Sequence, residues 1–234
     1  MKTWIGTSGF QYPAWKGIFY PDKIPVGKML AFYATQFPTT EINYSFRRIP
    51  SAQTIAAWAM ATPPKFKFSF KAPQRITHFA KLRDCDAILD ELGNAIAAMK
   101  EKRGMVLFQL PPTFAKDASL LSNFLETLPD GMRAAFEFRH PSWFDDEVFS
   151  VLKAKDVALC IAENEELATP AVATADFGYL RLRREDYTPS GIARWAKFVR
   201  GQQRQWREVF IYFKHEDTAI GTTFARRMME ELNG

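Results

Sequence analysis

Five charged side chains recur at one kind of place in this 234-residue sequence: Glu41, Lys71, Glu137, Arg139 and Arg181 lie within or close behind short runs of apolar residues. Glu41 and Glu137 suit general acid–base work, because a carboxylate partly removed from water beside Lys or Arg can be tuned in either direction. Lys71 offers two chemistries: a Schiff base, if burial and neighbouring cations lower its pKa, or a point charge that holds phosphate or carboxylate. Arg139 and Arg181 suit bidentate recognition of an anion, or pairing with Glu137. Three cations against two anions make a slightly positive pocket that prefers an anionic ligand. The competing reading is that Glu41, Glu137, Lys71 and Arg139 pair off as ion pairs closing one end of the fold. Burying charge costs roughly several kcal/mol per group and returns little stability, which favours function.

Around these five stand further candidates for binding. Asn43 and Gln109 share strand faces with Glu41 and Leu107, and Lys214, His215 and Tyr12 fall near other strand ends. His78, His140 and His215 are the only histidines, and each follows a strand end. His140 is either a ligand contact or a turn residue whose ring caps the helix starting at Ser142. Metal binding would call on Glu137, Glu163 or Asp217 with a histidine, but no tight His/carboxylate motif is present and the site is read as metal-independent. No Gly-x-Gly-x-x-Gly or P-loop pattern occurs, so no nucleotide cofactor is expected. Of the aromatic group Phe10, Tyr12, Trp15, Phe19 and Tyr20, Trp15 and Phe19 are read as packing, with Phe10 and Tyr12 left as ligand contacts.

The elements that would carry these groups are strands alternating with helices. Strands are predicted near Trp4–Thr7, Thr40–Asn43, Phe66–Lys71, Met105–Leu110, Ala134–Arg139, Val157–Ala162, Phe177–Arg183 and Val209–Lys214. Helices are predicted at Lys28–Gln36, Ser51–Ala61, Cys85–Lys100, Ala118–Leu128, Asp145–Ala154, Ile192–Arg200 and Thr222–Leu232, with Ser51 and Asp117 as N-caps. The stretch Glu163–Pro170 holds at most one helical turn, so the sixth connection looks trimmed. This βα rhythm predicts one domain over residues 1–234, a TIM-type (β/α)8 barrel with eight parallel strands. Strand alternation then assigns directions: Phe66, Phe68, Phe70, Phe136 and Phe138 face the helices, while Ser69, Lys71, Glu137 and Arg139 face the lumen. Tyr179, Arg181 and Arg183 share a face, and the charges gather at the C-terminal rim where barrel enzymes place their active sites.

Composition narrows the setting. Hydrophobic residues make up 47%, and two cysteines without a Cys-x-x-Cys pair argue against a disulfide framework or a thiolate zinc site. The N-terminus lacks a secretory pattern and no apolar run reaches membrane-spanning length, so a cytoplasmic protein is expected. A net charge of +5 and a pI near 9.2 admit anionic partners.

Three motifs carry a family resemblance: Trp15-Lys16-Gly17-Ile18-Phe19-Tyr20-Pro21, Phe108-Gln109-Leu110-Pro111-Pro112 and Glu137-Phe138-Arg139-His140-Pro141-Ser142-Trp143. With Thr62-Pro63-Pro64 and Ile76-Thr77-His78, they make the whole chain resemble the domain of unknown function 72 (YecE-like) family. The resemblance implies a (β/α)8 barrel related in shape to the sugar-isomerase and endonuclease IV group, and implies no particular activity. The chain departs from the commoner family pattern at Arg181-Leu182-Arg183-Arg184, where a His-Gly pair often follows Arg-Leu, and at Phe213-Lys214-His215-Glu216-Asp217, where Phe-Asn-Asn is common. Both departures add basic groups near the rim.

The expected function is an enzyme (hydrolase, lyase or isomerase) acting on a small anionic or sugar-like substrate by carboxylate acid/base chemistry. One alternative is a nucleic-acid binding or processing protein using Arg47, Arg48, Arg183, Arg184, Arg194, Lys197 and Arg200. Another is a noncatalytic metabolite-binding barrel. The residues do not settle the oligomeric state.

Overall fold

The structure, a computed structural model, describes residues 1–163, 168–214 and 217–233. Eight parallel strands close in chain order into a barrel: β1 (Lys2–Ser8), β2 (Thr39–Ile42), β3 (Lys67–Lys71), β4 (Arg103–Gln109), β5 (Ala134–Glu137), β6 (Ala158–Glu163), β7 (Phe177–Leu182) and β8 (Glu208–Phe213). Outside them run α1 (Met29–Gln36), α2 (Ala52–Met60), α3 (Asp86–Ala97), α4 (Ala118–Glu126), α5 (Asp146–Ala154), α6 (Pro189–Gly201) and α7 (Ile220–Asn233). Among the described residues no helix lies between β6 and β7, the connection expected to be trimmed; residues 164–167 of it lie outside the described residues.

Alternation divides the apolar residues into two cores. Phe66, Phe68, Phe70, Phe136 and Phe138 belong to the large outer one between barrel and helices. A second, smaller cluster fills the lumen with Met105, Leu107, Ala135, Cys160, Tyr179, Phe210 and Tyr212. In the outer layer Phe138 stacks on Trp143 at 4.7 Å and Phe108 on Phe136 at 5.1 Å between centroids. Such packing of large rings against the backs of strands fixes which face turns inward. At Gly6 of β1 the close approach of β2 requires glycine, since a Cβ would sit 2.1 Å from the Thr39 carbonyl oxygen.

The helix caps follow the sequence. Ser51 Oγ accepts from Thr54 N at 3.2 Å, and Asp117 Oδ1 accepts from Leu120 N at 2.9 Å. Boundaries shift where local backbone decides. α6 begins at Pro189, earlier than the expected Ile192, because Thr188 caps Gly191 N at 3.1 Å and proline fits the first turn. α3 stops at Ala97, short of the expected Lys100, which adopts a left-handed φ of 50°. A π-helical turn, Arg75–Phe79, was not expected after β3; it brings His78 against Phe46, with ring centroids 5.1 Å apart. Both cysteines are free and buried, and no helix among the described residues is long and apolar enough to cross a membrane.

Candidate active site

Arg181 is the hub of the barrel's C-terminal mouth. Its position on the lumen face of β7 leaves it 2% exposed, and the guanidinium reaches across the lumen to three other strands. Nη1 donates to Glu137 Oε2 of β5, while Nη2 donates to Glu41 Oε1 of β2 at 2.9 Å and to Ser8 Oγ of β1 at 3.3 Å. Glu41 also accepts from the Tyr179 hydroxyl at 2.6 Å and from the Ser8 hydroxyl. Asn43 Nδ2 donates to Ser8 Oγ at 3.0 Å, which ties the end of β2 to β1. On the far side, Arg139 Nε donates to Glu137 Oε1 at 3.0 Å and its Nη2 to Gln109 Oε1 at 3.1 Å. Arg183 Nη1 stands 3.7 Å from Glu137 Oε1.

The electrostatics follow from this geometry. Burial works against the charge of Glu137, but Arg181, Arg139 and Arg183 outweigh it and bring the carboxyl down to about 2. Burial likewise opposes the Arg181 charge, yet Glu137 and Glu41 hold the guanidinium protonated more firmly than usual. Burial, followed by the charge of Glu41, raises the Tyr179 hydroxyl far above its ordinary value, so it stays a donor.

Lys71 differs from every other charge in the mouth. It makes no ion pair among the described residues, and its Nζ sits 4.1 Å over the Phe46 ring. Burial first, then the neighbouring Arg181, lower its pKa from 10.5 to about 7. His78 is lowered too, by burial and then by Lys71 and Arg139. Its Nδ1 pairs with Thr77 Oγ1 at 2.9 Å. The mouth therefore carries excess positive charge, with one amine poised near neutrality.

Seven of the expected residues converge here: Glu41, Asn43, Lys71, Gln109, Glu137, Arg139 and Arg181. Others have different occupations. The His140 ring does cap a turn, a 3-10 one over Pro141–Trp143, accepting from Ser142 N at 3.2 Å. Tyr12 donates to the Ser8 carbonyl at 2.8 Å and lines a neighbouring cleft of about 600 Å³ with Asn43, Tyr44 and Trp58. Trp15 and Phe19 are buried in the outer core, while Phe10, also largely buried, packs on Tyr33 and lines the same cleft as Tyr12. Lys214 follows β8 and is half-buried, while His215 lies outside the described residues. No three His, Cys, Asp or Glu side chains among the described residues group in a way that could hold a metal ion.

Ser8, Phe46 and Tyr179 complete the mouth without having been named as ligand contacts, and His78 and Arg183, raised above only for a metal or for nucleic acid, stand there as well. Alternation along Trp4, Gly6 and Ser8 would have reached the first, and Tyr179 and Arg183 share the Arg181 face. Several of the basic residues outside the mouth are occupied locally. Arg184 pairs with Asp186 at 2.8 Å, Arg194 stands 3.9 Å from Glu163, and Arg200 donates to the Glu231 carbonyl at 2.5 Å.

Comparison with known proteins agrees with this architecture. YecE of Escherichia coli K12, a UPF0759 protein, is 30% identical over 142 residues, which make up 60% of this chain and 50% of YecE. The matched stretch thus spans half the length of that relative. YunF of Bacillus subtilis 168, also a UPF0759 protein, is 24% identical over 92% of this chain and 90% of its own. Among solved structures, TM1631 of Thermotoga maritima MSB8, a DUF72 family protein, has the same fold with a TM-score of 0.85, covering all of both chains at 22% identity. The profile of the family described as "Protein of unknown function DUF72" matches residues 4–234, and the chain belongs to that family.

Proposed function

We propose that the barrel mouth is the active site of an enzyme acting on a small anionic or sugar-like substrate, with Lys71 as the group that moves the proton. The observation that carries this reading is the placement of Lys71: half-buried, against Phe46, without a carboxylate partner, and brought to about 7 by burial and Arg181. An amine in that range exists in both forms near neutral pH, as an acid–base catalyst requires. Arg139 and Arg183, both partly open to solvent, would face the reacting end of the substrate and stabilise the negative charge that develops as the proton leaves.

This reading gives Glu41 and Glu137 a positioning role rather than the proton transfer expected of them. Both contact one guanidinium, so the space between the two carboxylates is filled by Arg181 and leaves no room for a sugar ring. Glu137, held ionised down to about 2, is a poor proton donor at neutral pH. No step in this scheme calls on a metal or a nucleotide cofactor.

The test is solvent exchange. A panel of small sugar acids and phosphorylated sugars, incubated with the protein in D2O and followed by proton NMR, should reveal a substrate whose C–H exchanges or turns over. Lys71→Met should abolish that signal with the fold intact. Exchange that survives the substitution refutes the role of Lys71, and binding without exchange or turnover would leave a metabolite-binding barrel.

Arg47 and Arg48 favour a second reading, a nucleic-acid partner, since neither has a carboxylate partner among the described residues. Phosphate-backbone contacts would make affinity fall steeply as salt rises, and a flat dependence would remove this reading.

A further inference from the structure

Three guanidiniums line a single cleft beside the mouth. Arg47 and Arg48 follow the short turn Tyr44–Phe46, and Arg75 opens the π-helical turn after β3. All three are exposed, and among the described residues none makes an ion pair or a side-chain hydrogen bond. The cleft measures about 590 Å³, and Glu91 of α3 is the one acid in its described lining. Several arginines elsewhere on the surface do find partners, as in Arg184–Asp186 at 2.8 Å and Arg227–Glu231 at 2.8 Å. Clustering three without partners costs mutual repulsion, which a bound anion would offset.

Two further features select the anion and its neighbours. The first turn of α2 opens on the cleft through Ser51 and Thr54, so the positive end of that helix adds to the guanidiniums. The cleft is also tied to the mouth by short stretches of chain. Arg47 adjoins Phe46, whose ring carries Lys71 Nζ, and Arg75 lies four residues beyond Lys71, a backbone span of at most about 14 Å. Tyr44, Arg47 and Thr54 are shared with the second cleft, where Asn43 bonds to Ser8 of the Arg181 cluster.

We propose that this cleft holds the phosphate of a substrate whose other end reaches Lys71, so that the substrate class is a phosphate ester of a small sugar-like compound. A phosphate ester brings a charge of about −1.5 to −2 and three acceptor oxygens, whereas a carboxylate brings one charge and two. Three guanidinium forks with a helix N-terminus match the former. The half of the proposal that concerns Lys71 rests on the reading of the mouth given above; the phosphate cleft does not.

Calorimetry on the full chain separates the two. Inorganic phosphate and ribose 5-phosphate should bind, and ribose should not. Arg47→Ala or Arg75→Ala should weaken phosphate binding about tenfold or more, while Lys71→Met should leave it within about twofold. Arg75→Lys, which keeps the charge but not the fork, should fall between wild type and Arg75→Ala. Phosphate binding that ignores the arginine substitutions, or that vanishes in Lys71→Met alone, overturns the cleft and leaves the mouth reading standing. Intact phosphate binding with C–H exchange unaffected by Lys71→Met sinks the mouth instead. A single-stranded oligonucleotide that binds about a hundredfold more tightly than ribose 5-phosphate, with steep salt dependence, overturns the substrate class in favour of a polynucleotide.

Discussion

The two ends of the barrel lumen treat polar groups in opposite ways. At the lower end, the Trp4 indole donates to Glu208 Oε2 at 2.6 Å and Glu208 pairs with Arg133, whose side chain is 40% exposed. Arg133 also stands 4.0 Å from Asp176, which pairs with Arg207 at 3.0 Å, and both arginines reach water. A layer above, the hydroxyls of Thr39, Ser69 and Tyr212 satisfy one another at 2.8 Å without any charge. At the upper end, Arg181, Glu41 and Glu137 are all at most 2% exposed, and Arg139, Arg183 and Lys71 crowd around them. Neutral hydroxyls and rings fill the middle of the lumen and the charges at its lower end reach water, so closing the barrel does not require a buried charge cluster. The excess cations at the mouth have a cost that packing alone would not justify, and they stand where a ligand can reach them.

Substitutions that treat the two ends alike are the way to break this contrast. The largest effect is expected at Arg181: Arg181→Met leaves two buried carboxylates without a counter-ion and should lower stability by about 3–5 kcal/mol in urea unfolding. A cost below about 1 kcal/mol would mean that the cluster is not the buried hub described above.

Acid sharpens the comparison next. The Glu137 carboxyl stands at about 2 in the fold against 4.5 for the ordinary group, so its stabilising charge is complete above 4.5 and is lost as pH falls toward 2. Across that window the wild type should lose about 3 kcal/mol relative to Glu137→Gln, as followed by acid unfolding. Parallel acid profiles would place Glu137 outside the influence of its arginines.

Lys71 should behave in the opposite sense. Its folded-state value of about 7 lies below the ordinary 10.5, so the unfolded chain binds more protons between those values and wild-type stability rises with pH through that window. Lys71→Met should therefore be the more stable protein at pH 7, by about 1–4 kcal/mol, with the advantage shrinking toward pH 10.5. The smallest effect belongs to the lower end, where Glu208→Gln should cost about 1 kcal/mol or less, because its partner Arg133 is open to solvent.

Much of this was legible in the residues themselves. The run Phe66–Lys71 shows why: three phenylalanines at alternate positions must face the helices, which leaves Ser69 and Lys71 no direction but the lumen. The same parity placed Glu137 and Arg181 in one cavity. Alternation fixes direction but not distance, and so could not show that one guanidinium would join both carboxylates and leave Lys71 without either. That partnering depends on strand stagger, which sets Glu41, Glu137 and Arg181 at one level. The π-helical turn at Arg75–Phe79 was invisible for another reason: its residues are unremarkable in propensity, and packing of His78 on Phe46 accompanies the shape. His140 shows the limit of reading by residue type, since its ring nitrogen is used by a local turn.

The central claim is that the mouth holds one amine without a counter-ion among ion-paired charges, and it is tested most directly by titrating Lys71 itself. In protein labelled with 13C and 15N at lysine, the Cε and Nζ resonances of Lys71, assigned by their loss in Lys71→Met, should titrate near 7 and shift to higher pH when an anion occupies the mouth. A Lys71 that titrates near 10.5, like a lysine in water, would contradict the account.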